Sequence, residues 1–306
     1  MLPLKFTWNP ISGLDLGFLT IHFYSLMFVI AFSLGFYLMK KVYKNEDIPL
    51  EKLDKLFIYA VVSILIGARL GHVIFYQTEL LWEDPFSVLL PFTFKPEFQF
   101  TGFRGLASHG AVIVGMYGMY RYSKKVLGKS VLWTLDRVVI PVSLGAMFVR
   151  IGNFFNSEMI GKVTDSPIGI KFVQDAISER HATTITNIKN PRKAYQALTE
   201  DSQFAEKIAD IPYRYPGQLM EAAGYAVVFL IIFYLYWKTK ASEKTGLLFG
   251  TFLLLLMGVR LIVENFKEVQ VNERADWALN TGQLLSIPFI LIGTYLVYTA
   301  LTRKTV

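Results

Sequence analysis

The chain contains no cysteine and comparatively few charged residues. Lys, Arg, Asp and Glu make up 18% of its 306 residues, against roughly 25% in soluble domains. Without cysteine, disulfides, thiolate nucleophiles and cysteine-ligated metal sites are excluded. Hydrophobic residues account for 53% of the chain, mean hydropathy is +0.39, and the charges are clustered between long apolar stretches. This pattern favours an integral membrane protein over a soluble one.

The apolar stretches predict seven membrane spans. A helix needs about 20 apolar residues to cross roughly 30 Å of hydrocarbon. We therefore predict an all-α polytopic membrane protein with a single membrane domain over 1–306. The spans are expected at about 18–39, 56–77, 105–126, 133–155, 218–237, 246–264 and 283–301. The fourth contains Asp136, Pro141 and Arg150, and we expect it to be kinked or broken.

Basic residues in the short loops predict the orientation. Fifteen Lys and Arg follow the odd-numbered spans, whereas five lie on the other side: Lys5, Lys95, Arg104, Lys267 and Arg274. Cytoplasmic loops are the ones enriched in such residues, so we expect the N-terminus outside and the C-terminus inside. The first apolar run lacks a basic leader and a small-residue cleavage site, and is interpreted as a retained span. The net charge of +7 reflects these loops, and no nucleic-acid partner is expected.

Two longer loops depart from the pattern of short connections. The stretch 171–212 is polar, with helical character around 191–209, and we expect it to form a small extracytoplasmic cap between the fourth and fifth spans. Long loops of this kind translocate largely regardless of their charge. The loop 78–104 combines Pro85, Pro91 and Pro96 with aromatic residues. Aromatic side chains are enriched at headgroup level, so this loop is expected to lie along the outer interface.

The densest group of polar residues at membrane depth runs from Arg150 to Gly161. Charges there are rare and are functional by default. Arg150, Asn153 and Asn156 fall on one helix face, and Glu158 can join them if the helix ends near Phe155. One interpretation is an Arg–Glu pair that locks a helix end. The other is an arginine, suited to phosphate, that is positioned by the carboxylate and the amides.

A second pair of opposite charges lies in the sixth span. Arg260 and Glu264 are spaced i, i+4 and so share a helix face. Considered without the other pair, these two residues could form a simple intrahelical ion pair. Two such pairs at similar depth, however, favour a site for one anionic group, because each unmatched buried charge costs several kcal/mol, on the order of 3.

Five further polar residues leave two interpretations open. His109 is either a hydrogen-bonded core residue or a general base. Tyr24 is an interfacial anchor or a hydrogen-bond donor to substrate. Arg69 pairs within the protein or binds substrate. Gln218 and Glu221 share a face at the start of the fifth span, and serve either to support the helix start or to contact substrate.

The segment from Arg150 to Gly161 resembles the signature of the prolipoprotein diacylglyceryl transferase family. That signature reads Gly-Arg-x-Gly-Asn-Phe-x-Asn-x-Glu-x-x-Gly, and the match here is broken only at its first position, where Val149 replaces glycine. Other segments resemble the family in the expected order; they surround Tyr24, Arg69, His109, Arg260 and Gly282. The main departure is Tyr215, which stands before Pro216 where relatives usually carry histidine.

The resemblance implies transfer of the diacylglyceryl group of phosphatidylglycerol to the lipobox cysteine of a prolipoprotein signal peptide. It implies a monomer in the bacterial cytoplasmic (inner) membrane, surrounded by membrane lipids, that needs neither a metal nor an organic cofactor. Arg150 and Arg260 would bind the phosphate, and His109 would help to activate the thiol. The expected catalytic residues are His109, Arg150, Arg260 and Glu264. The expected substrate-binding residues are Tyr24, Arg69, Asn153, Asn156, Glu158, Gly161, Gln218 and Glu221.

Two other classes of protein compete with this interpretation. A lipid or organic-anion transporter would also have a charged cavity near the midplane. Transporters of that kind usually have paired halves with matched broken helices, and the sequence shows no such symmetry. A non-catalytic receptor or scaffold gives no reason for so many charges at membrane depth.

Overall fold

A computed structural model of the chain describes residues 5–11, 13–17, 20–90, 92–94, 97–100, 105, 107–268 and 279–303. It divides into two compact units, which are considered separately. Unit 1 comprises Met1–Gly35 and Val139–Val306, and unit 2 comprises Phe36–Val138. Lys95, Arg104, Arg274 and Lys304, which entered the charge count, lie outside the described residues, as do Pro91 and Pro96.

The described residues are mostly helical. In chain order the helices are α1 (Phe23–Asn45), α2 (Leu50–Tyr76), α3 (Leu80–Glu83), α4 (Ser108–Tyr122), α5 (Val131–Phe155), α6 (Val173–Ala176), α7 (Glu179–Thr186), α8 (Pro191–Glu200), α9 (Ala205–Ala209), α10 (Gly217–Lys238), α11 (Leu247–Val263) and α12 (Thr281–Thr302). Strands are short and occur in pairs. β1 (Phe6–Trp8) runs parallel to β6 (Ile170–Phe172), β2 (Gly13–Asp15) is antiparallel to β3 (Thr20–His22), and β4 (Phe92–Thr93) is antiparallel to β5 (Gln99–Phe100).

Six of these helices are long and apolar enough to cross a membrane: α1, α2, α5, α10, α11 with its following turn to Phe266, and α12. This confirms the prediction of an all-α polytopic membrane protein. The third predicted span corresponds to α4, which has 15 residues and continues as a wider helical turn, Ser123–Leu127. Whether α4 crosses the membrane stays a prediction, as does the orientation.

The first predicted span was placed too early in the chain. The helix starts at Phe23 rather than near residue 18, because Thr20–His22 pairs with Gly13–Asp15 in a hairpin. It also ends later, at Asn45, since Met39, Val42 and Tyr43 on the last turns are buried by packing. Hydropathy alone detects the apolar run but not the strand pairing at one end or the tertiary contacts at the other.

The fourth span was expected to be kinked or broken, and of these two outcomes the break is absent. Helix α5 continues from Val131 to Phe155 with Pro141 inside it. A proline removes one backbone donor and crowds the preceding turn. In membrane helices this cost is tolerated where neighbouring groups satisfy the freed carbonyls. The polar residues that follow Pro141 are therefore presented on one continuous helix.

In unit 2, helices α2 and α4 approach closely through glycines. A Cβ atom on Gly110 would overlap the carbonyl oxygen of Gly67, and one on Gly71 would lie 2.7 Å from the Gly110 Cα. Small residues allow this kind of backbone contact between membrane helices. The glycine after His109 thus has a packing role in the structure.

The loop between α2 and α4 is held by its own polar contacts. Arg69 donates from Nε to the Val88 carbonyl (3.0 Å) and from Nη2 to the Ser87 carbonyl (2.8 Å). Asp84 accepts from the backbone N–H of Phe94 at 2.8 Å. This hydrogen bond, with those from Thr93 and Ser87, holds the pKa of Asp84 below its usual range. Arg69 therefore supports the loop with at least two of its guanidinium nitrogens.

The segment predicted as a cap folds around a small apolar core of its own. Helices α6 to α9 enclose a cluster of buried residues: Val173, Ala182, Ala194, Tyr195, Leu198 and Ile211. Capping side chains define the helix starts, with Ser178 accepting from His181 N–H and Asn190 from Lys193 N–H. The expected helical character around 191–209 is present. Its position outside the membrane stays a prediction.

Candidate active site

The site in unit 1 begins at the C-terminal end of α5. There the Ser157 N–H donates to the Phe154 carbonyl and the Glu158 N–H donates to the Asn153 carbonyl, both at 3.1 Å. These two hydrogen bonds form a Schellman motif, in which the first residue after the C-cap adopts a left-handed backbone conformation. Ser157 takes that position with φ 53°, where glycine is the usual residue. The turn brings the chain back so that Glu158 lies beside the last turn of the helix.

Left-handed conformations recur within this turn. Met159 also has a positive φ, 62°, two residues after Ser157. Each non-glycine residue in this conformation costs about 1–2 kcal/mol. Such outliers persist only where the surroundings hold them and they concentrate at functional sites. The strain marks this turn as a functional candidate independently of its polar side chains.

Glu221 is the buried centre of the site. Its side chain is fully buried, and its carboxylate lies between two cations: Arg150 Nε is 2.9 Å from Oε2 and Lys267 Nζ is 2.9 Å from Oε1. The Arg150 contact is an ion pair by distance, without the alignment of a hydrogen bond. One carboxylate thus connects α5, α10 and the chain after α11.

Glu158 is bound by amides rather than by a cation. Its Oε1 accepts from Asn153 Nδ2 at 2.8 Å and from Asn156 Nδ2 at 3.3 Å. Its backbone carbonyl accepts from Gln218 Nε2 at 2.5 Å. Asn153 also accepts from Arg150 Nη1 at 3.3 Å. Asn153 therefore links the arginine to the carboxylate, as the shared helix face predicted.

Neither of the two Arg–Glu pairs considered from the sequence forms. Arg150 pairs with Glu221 instead of Glu158, and Glu264 faces Lys267 Nζ at 3.4 Å instead of Arg260. The i, i+4 interpretation of Arg260 and Glu264 was wrong because α11 ends at Val263, so Glu264 lies in the tighter turn Glu264–Phe266. A change in helical geometry moves the side chain off the face that an uninterrupted α-helix would share.

Arg260 has no ion-pair partner among the residues that the structure describes. Its Nε is buried and lacks a hydrogen-bond partner there. The Tyr225 hydroxyl interacts electrostatically with Arg260, hydrogen-bonds to Arg150, and makes a long contact of 3.5 Å to Glu221 Oε1. Both arginines therefore interact with one hydroxyl group, and Arg260 has one buried donor, Nε, without a partner among the described residues.

Close backbone approaches fix the edges of the site. A Cβ on Gly161 would lie 2.6 Å from the Phe266 and Tyr215 carbonyl oxygens. The Gly161 N–H donates to the Tyr215 carbonyl at 2.8 Å. Gly282 leaves room for Glu264, because a Cβ there would overlap the Glu264 carboxylate. Gly161 and Gly282 therefore allow segments that are far apart in the chain to approach closely near Lys267.

Tyr24 completes the described cluster in unit 1. Its ring lies on Gly152, where a Cβ would come within 2.9 Å of the ring edge. The phenol interacts electrostatically with Glu158 and Arg150. Tyr24 is therefore near the polar residues, and not only an interfacial anchor.

Comparison with known proteins identifies the family. A sequence model described as prolipoprotein diacylglyceryl transferase matches residues 12–299. The chain belongs to this family. It is 34% identical over 299 residues to the phosphatidylglycerol–prolipoprotein diacylglyceryl transferase of Tolumonas auensis, covering 97% of this chain and 98% of the relative. The proteins of the same name from Porphyromonas gingivalis (33%, covering 98% and 96%) and Bacteroides fragilis (32%, covering 100% and 99%) are similar over their length.

Family membership and the six apolar helices make the chain a multi-pass bacterial membrane protein of a transferase family. Within the family motifs, unit 1 brings together Tyr24, Arg150, Asn153, Glu158 and Glu221 through the contacts given above. Asn156, Gly161, Gln218, Arg260 and Glu264 adjoin them. Ten of the twelve expected site residues therefore lie in one unit.

The two remaining residues lie in unit 2. His109 is in the first turn of α4, and its side chain is exposed. Arg69 lies in α2 and donates to the Ser87 and Val88 carbonyls. For Arg69 the contacts favour a role in holding the loop. For His109 the structure provides position and exposure, and its chemistry stays a prediction.

Sequence reasoning missed Lys267 and Tyr225. Lys267 was counted as a loop cation, yet its side chain is only 4% exposed and lies between Glu221 and Glu264. Tyr225 follows Glu221 by one helical turn, a spacing that places both on one face.

The departure at Tyr215 is accommodated by packing. Its ring packs edge-on against Phe266 at 5.1 Å between ring centroids. Its backbone N–H donates to the Lys162 carbonyl at 3.0 Å. This hydrogen bond is made by the main chain and therefore does not depend on a histidine side chain at this position.

Replacing Glu221 by glutamine tests whether it is the buried counter-charge. Glu221→Gln keeps the shape of the side chain but leaves Arg150 without an ion-pair partner among the described residues and leaves Lys267 with Glu264 alone. We expect the free energy of unfolding in detergent to fall by about 3–5 kcal/mol.

Glu200→Gln is the matched control, since Glu200 is exposed on α8 and accepts hydrogen bonds only from Gln196 among the described residues. Its effect should stay within about 0.5 kcal/mol. If Glu221→Gln were as mild as Glu200→Gln, the central role of this carboxylate would be refuted.

Proposed function

We propose that this chain transfers the diacylglyceryl group of phosphatidylglycerol to the lipobox cysteine of prolipoproteins and releases glycerol 1-phosphate. The observation that supports this most is that two arginines interact with the Tyr225 hydroxyl, and that one of them, Arg150, is ion-paired with the buried Glu221 carboxylate. Arg150 is held by Glu221, whereas Arg260 has a buried Nε without a hydrogen-bond partner among the described residues. An anion that brings its own acceptors would complete this arrangement.

The reaction needs a nucleophile and a stabilised leaving group. The cysteine sulfur attacks the glyceryl carbon that carries the phosphate, so a carbon–sulfur bond forms while the carbon–oxygen bond breaks. The electron pair stays on the phosphate oxygen, and the thiol proton passes to a base. A thiol reacts as the thiolate, and developing negative charge is stabilised by preorganised donors. The protein therefore has to supply cations for phosphate and an acceptor for one proton.

Arg150 is suited to bind the phosphate. Its side chain is 16% exposed, and Glu221 fixes the guanidinium through Nε. A guanidinium has five N–H donors. One of those on Arg150, at Nη1, donates to Asn153 Oδ1 at 3.3 Å. The planar fork can present its remaining donors to two phosphate oxygens. Glu221 and Asn153 act here by fixing the direction of the fork.

Arg260 supplies the second cation. Because its Nε is buried without a partner among the described residues, the free protein leaves a donor unsatisfied, at a cost of about 1–3 kcal/mol. Binding of the phosphate would remove this cost. Glu264, which we propose helps to orient the arginines or the glycerol, lies beside Lys267 and next to Gly282.

The glycerol end of the head group would meet the polar turn after α5. Glu158 is exposed and has acceptor capacity beyond its bonds from Asn153 and Asn156. A carboxylate accepts hydrogen bonds from hydroxyl groups. Tyr24 can donate from the other side. Gln218 and Gly161 hold the backbone of the same turn.

His109 of unit 2 is proposed as the proton acceptor, on the basis of residue chemistry and the family motif. A neutral imidazole accepts a proton from a thiol at physiological pH. Arg69 is proposed as a substrate-binding residue only on the same basis. We further propose that the enzyme works as a monomer in the cytoplasmic membrane and that residues 171–212 form a cap outside it.

The alternative function is transport of a lipid or organic anion, for which a charged cavity would also serve. One experiment separates the two. Purified protein is incubated with labelled phosphatidylglycerol and a lipobox peptide, in detergent and in vesicles. Covalent labelling of the peptide supports the transferase, whereas movement of label across vesicles without a labelled peptide would support the transporter.

Substitution of the two arginines tests the phosphate site. Arg150→Lys keeps a cation beside Glu221 but lacks the planar fork, and Arg260→Ala removes a guanidinium that has no ion pair among the described residues. We expect each to lower the rate of peptide labelling by about 100-fold or more. Melting in detergent should show that both variants stay folded.

Arg192→Lys is the control for a surface arginine. Arg192 lies in the cap segment and is 3.8 Å from Asp15, with both side chains exposed, so labelling should proceed at the wild-type rate. Wild-type rates for Arg150→Lys and Arg260→Ala together would refute the phosphate role.

His109→Gln tests the proton acceptor. A general base has to be unprotonated to accept the thiol proton, so wild-type activity should fall at acidic pH. In His109→Gln we expect a lower rate without this acidic limb. An unchanged rate and pH profile would remove His109 as the base.

A further inference from the structure

The N-terminal strand reaches across to the end of α5. The Trp8 indole N–H donates to the Phe154 carbonyl at 2.9 Å. The two rings are stacked, with centroids 4.2 Å apart and planes inclined by 23°. These contacts join residues 146 positions apart in the chain. Trp8 is thus fixed on the last turn before the strained segment of the site.

The carbonyl that Trp8 binds is the one on which the turn depends. Phe154 also accepts from the Ser157 N–H at 3.1 Å, one of the two bonds that close the helix end. Ser157 is left-handed at φ 53° although it is not glycine. A residue in this conformation reverts unless its surroundings hold it. The indole N–H fixes the orientation of the carbonyl that receives the Ser157 bond.

Trp8 is also held in place by the pairing of its own strand. β1 pairs with β6, with Trp8 opposite Phe172, and Phe172 packs edge-on against Phe154 at 6.0 Å. The next residue, Asn9, donates to the Tyr195 carbonyl at 2.8 Å. The strand therefore connects the helix end to the segment that contains α8. A tryptophan anchored in this way can hold a strained turn in place.

We propose that Trp8 is a positioning residue that keeps Glu158 on the Asn153 amide by holding the Phe154 carbonyl. It does not touch the substrate and acts through the turn. Loss of the indole N–H would let Ser157 leave the left-handed region, and Glu158 would then lose its place beside the Asn153 and Asn156 amides. The inference rests on the proposed function in that Glu158 is taken to contact the head group.

Trp8→Phe keeps an aromatic ring on Phe154 but removes the donor. We expect kcat for peptide labelling to fall roughly twofold to tenfold, as for loss of one hydrogen bond, with a nearly unchanged KM for the peptide. Trp82→Phe is the control, because Trp82 is 78% exposed on α3. It should leave kcat unchanged.

Making Trp8→Phe in the Ser157→Gly and Ser157→Ala variants distinguishes an effect on the strained backbone of Ser157 from a general loss of stability. Glycine adopts φ near +53° without a Cβ penalty, so in Ser157→Gly the Trp8→Phe substitution should cost little. Ser157→Ala removes the hydroxyl but keeps the Cβ, and there the loss should be as large as in the wild type. A general loss of stability would be the same in all three backgrounds. Equal losses would therefore overturn the proposal.

Hydrogen exchange provides a measurement that does not depend on the activity. The Ser157 and Glu158 amides should exchange faster in Trp8→Phe than in the wild type, and in Ser157→Gly they should be affected less. If wild-type protein labelled no peptide, the proposed function would fail while this exchange pattern could still hold. If wild-type protein labelled peptide but Trp8→Phe changed neither kcat nor exchange, the positioning role alone would be refuted.

Discussion

The arrangement of unit 1 depends on the buried carboxylate of Glu221. A charge with a fully buried side chain is stable only when it is paired, and Glu221 is paired twice, with Arg150 from α5 and Lys267 after α11. Because the three residues come from distant parts of the chain, the ion pairs fix how these elements meet. They also determine the direction of the Arg150 fork. The same interaction therefore stabilises the fold and orients the guanidinium that we propose as the phosphate ligand.

A second constraint is the strained helix end. Ser157 and Met159 are left-handed without being glycine, and this turn directs Glu158 back to Asn153. The contacts that hold it come from three places: Gln218 on the Glu158 carbonyl, Tyr215 on Gly161, and Trp8 on Phe154. Strain of this kind is kept where it positions functional groups. The polar turn and the buried ion pairs are thus neighbouring parts of one site.

Much of the fold and the composition of the site followed from the sequence. Apolar runs located α5, α10, α11 and α12 to within two residues, since length and hydropathy are local properties, but missed ends of α1 and α2 by five or six residues. The i, i+3 spacing correctly linked Arg150 with Asn153, which share a continuous helix. Partner choice could not be predicted. Arg150 pairs with Glu221 of α10 rather than with Glu158, a contact between residues distant in sequence. Lys267 resembles any cation at a helix end until its burial is known. The motif residues were recognised by type, but their ion pairs depend on tertiary contacts.

The most direct test of this account is a map of the protein bound to phosphatidylglycerol. The account predicts the phosphate within hydrogen-bond distance, about 3 Å, of the terminal nitrogens of Arg150 and Arg260, with Glu221 still between Arg150 and Lys267. A phosphate bound elsewhere, with the two guanidinium groups unoccupied and turned apart, would contradict it.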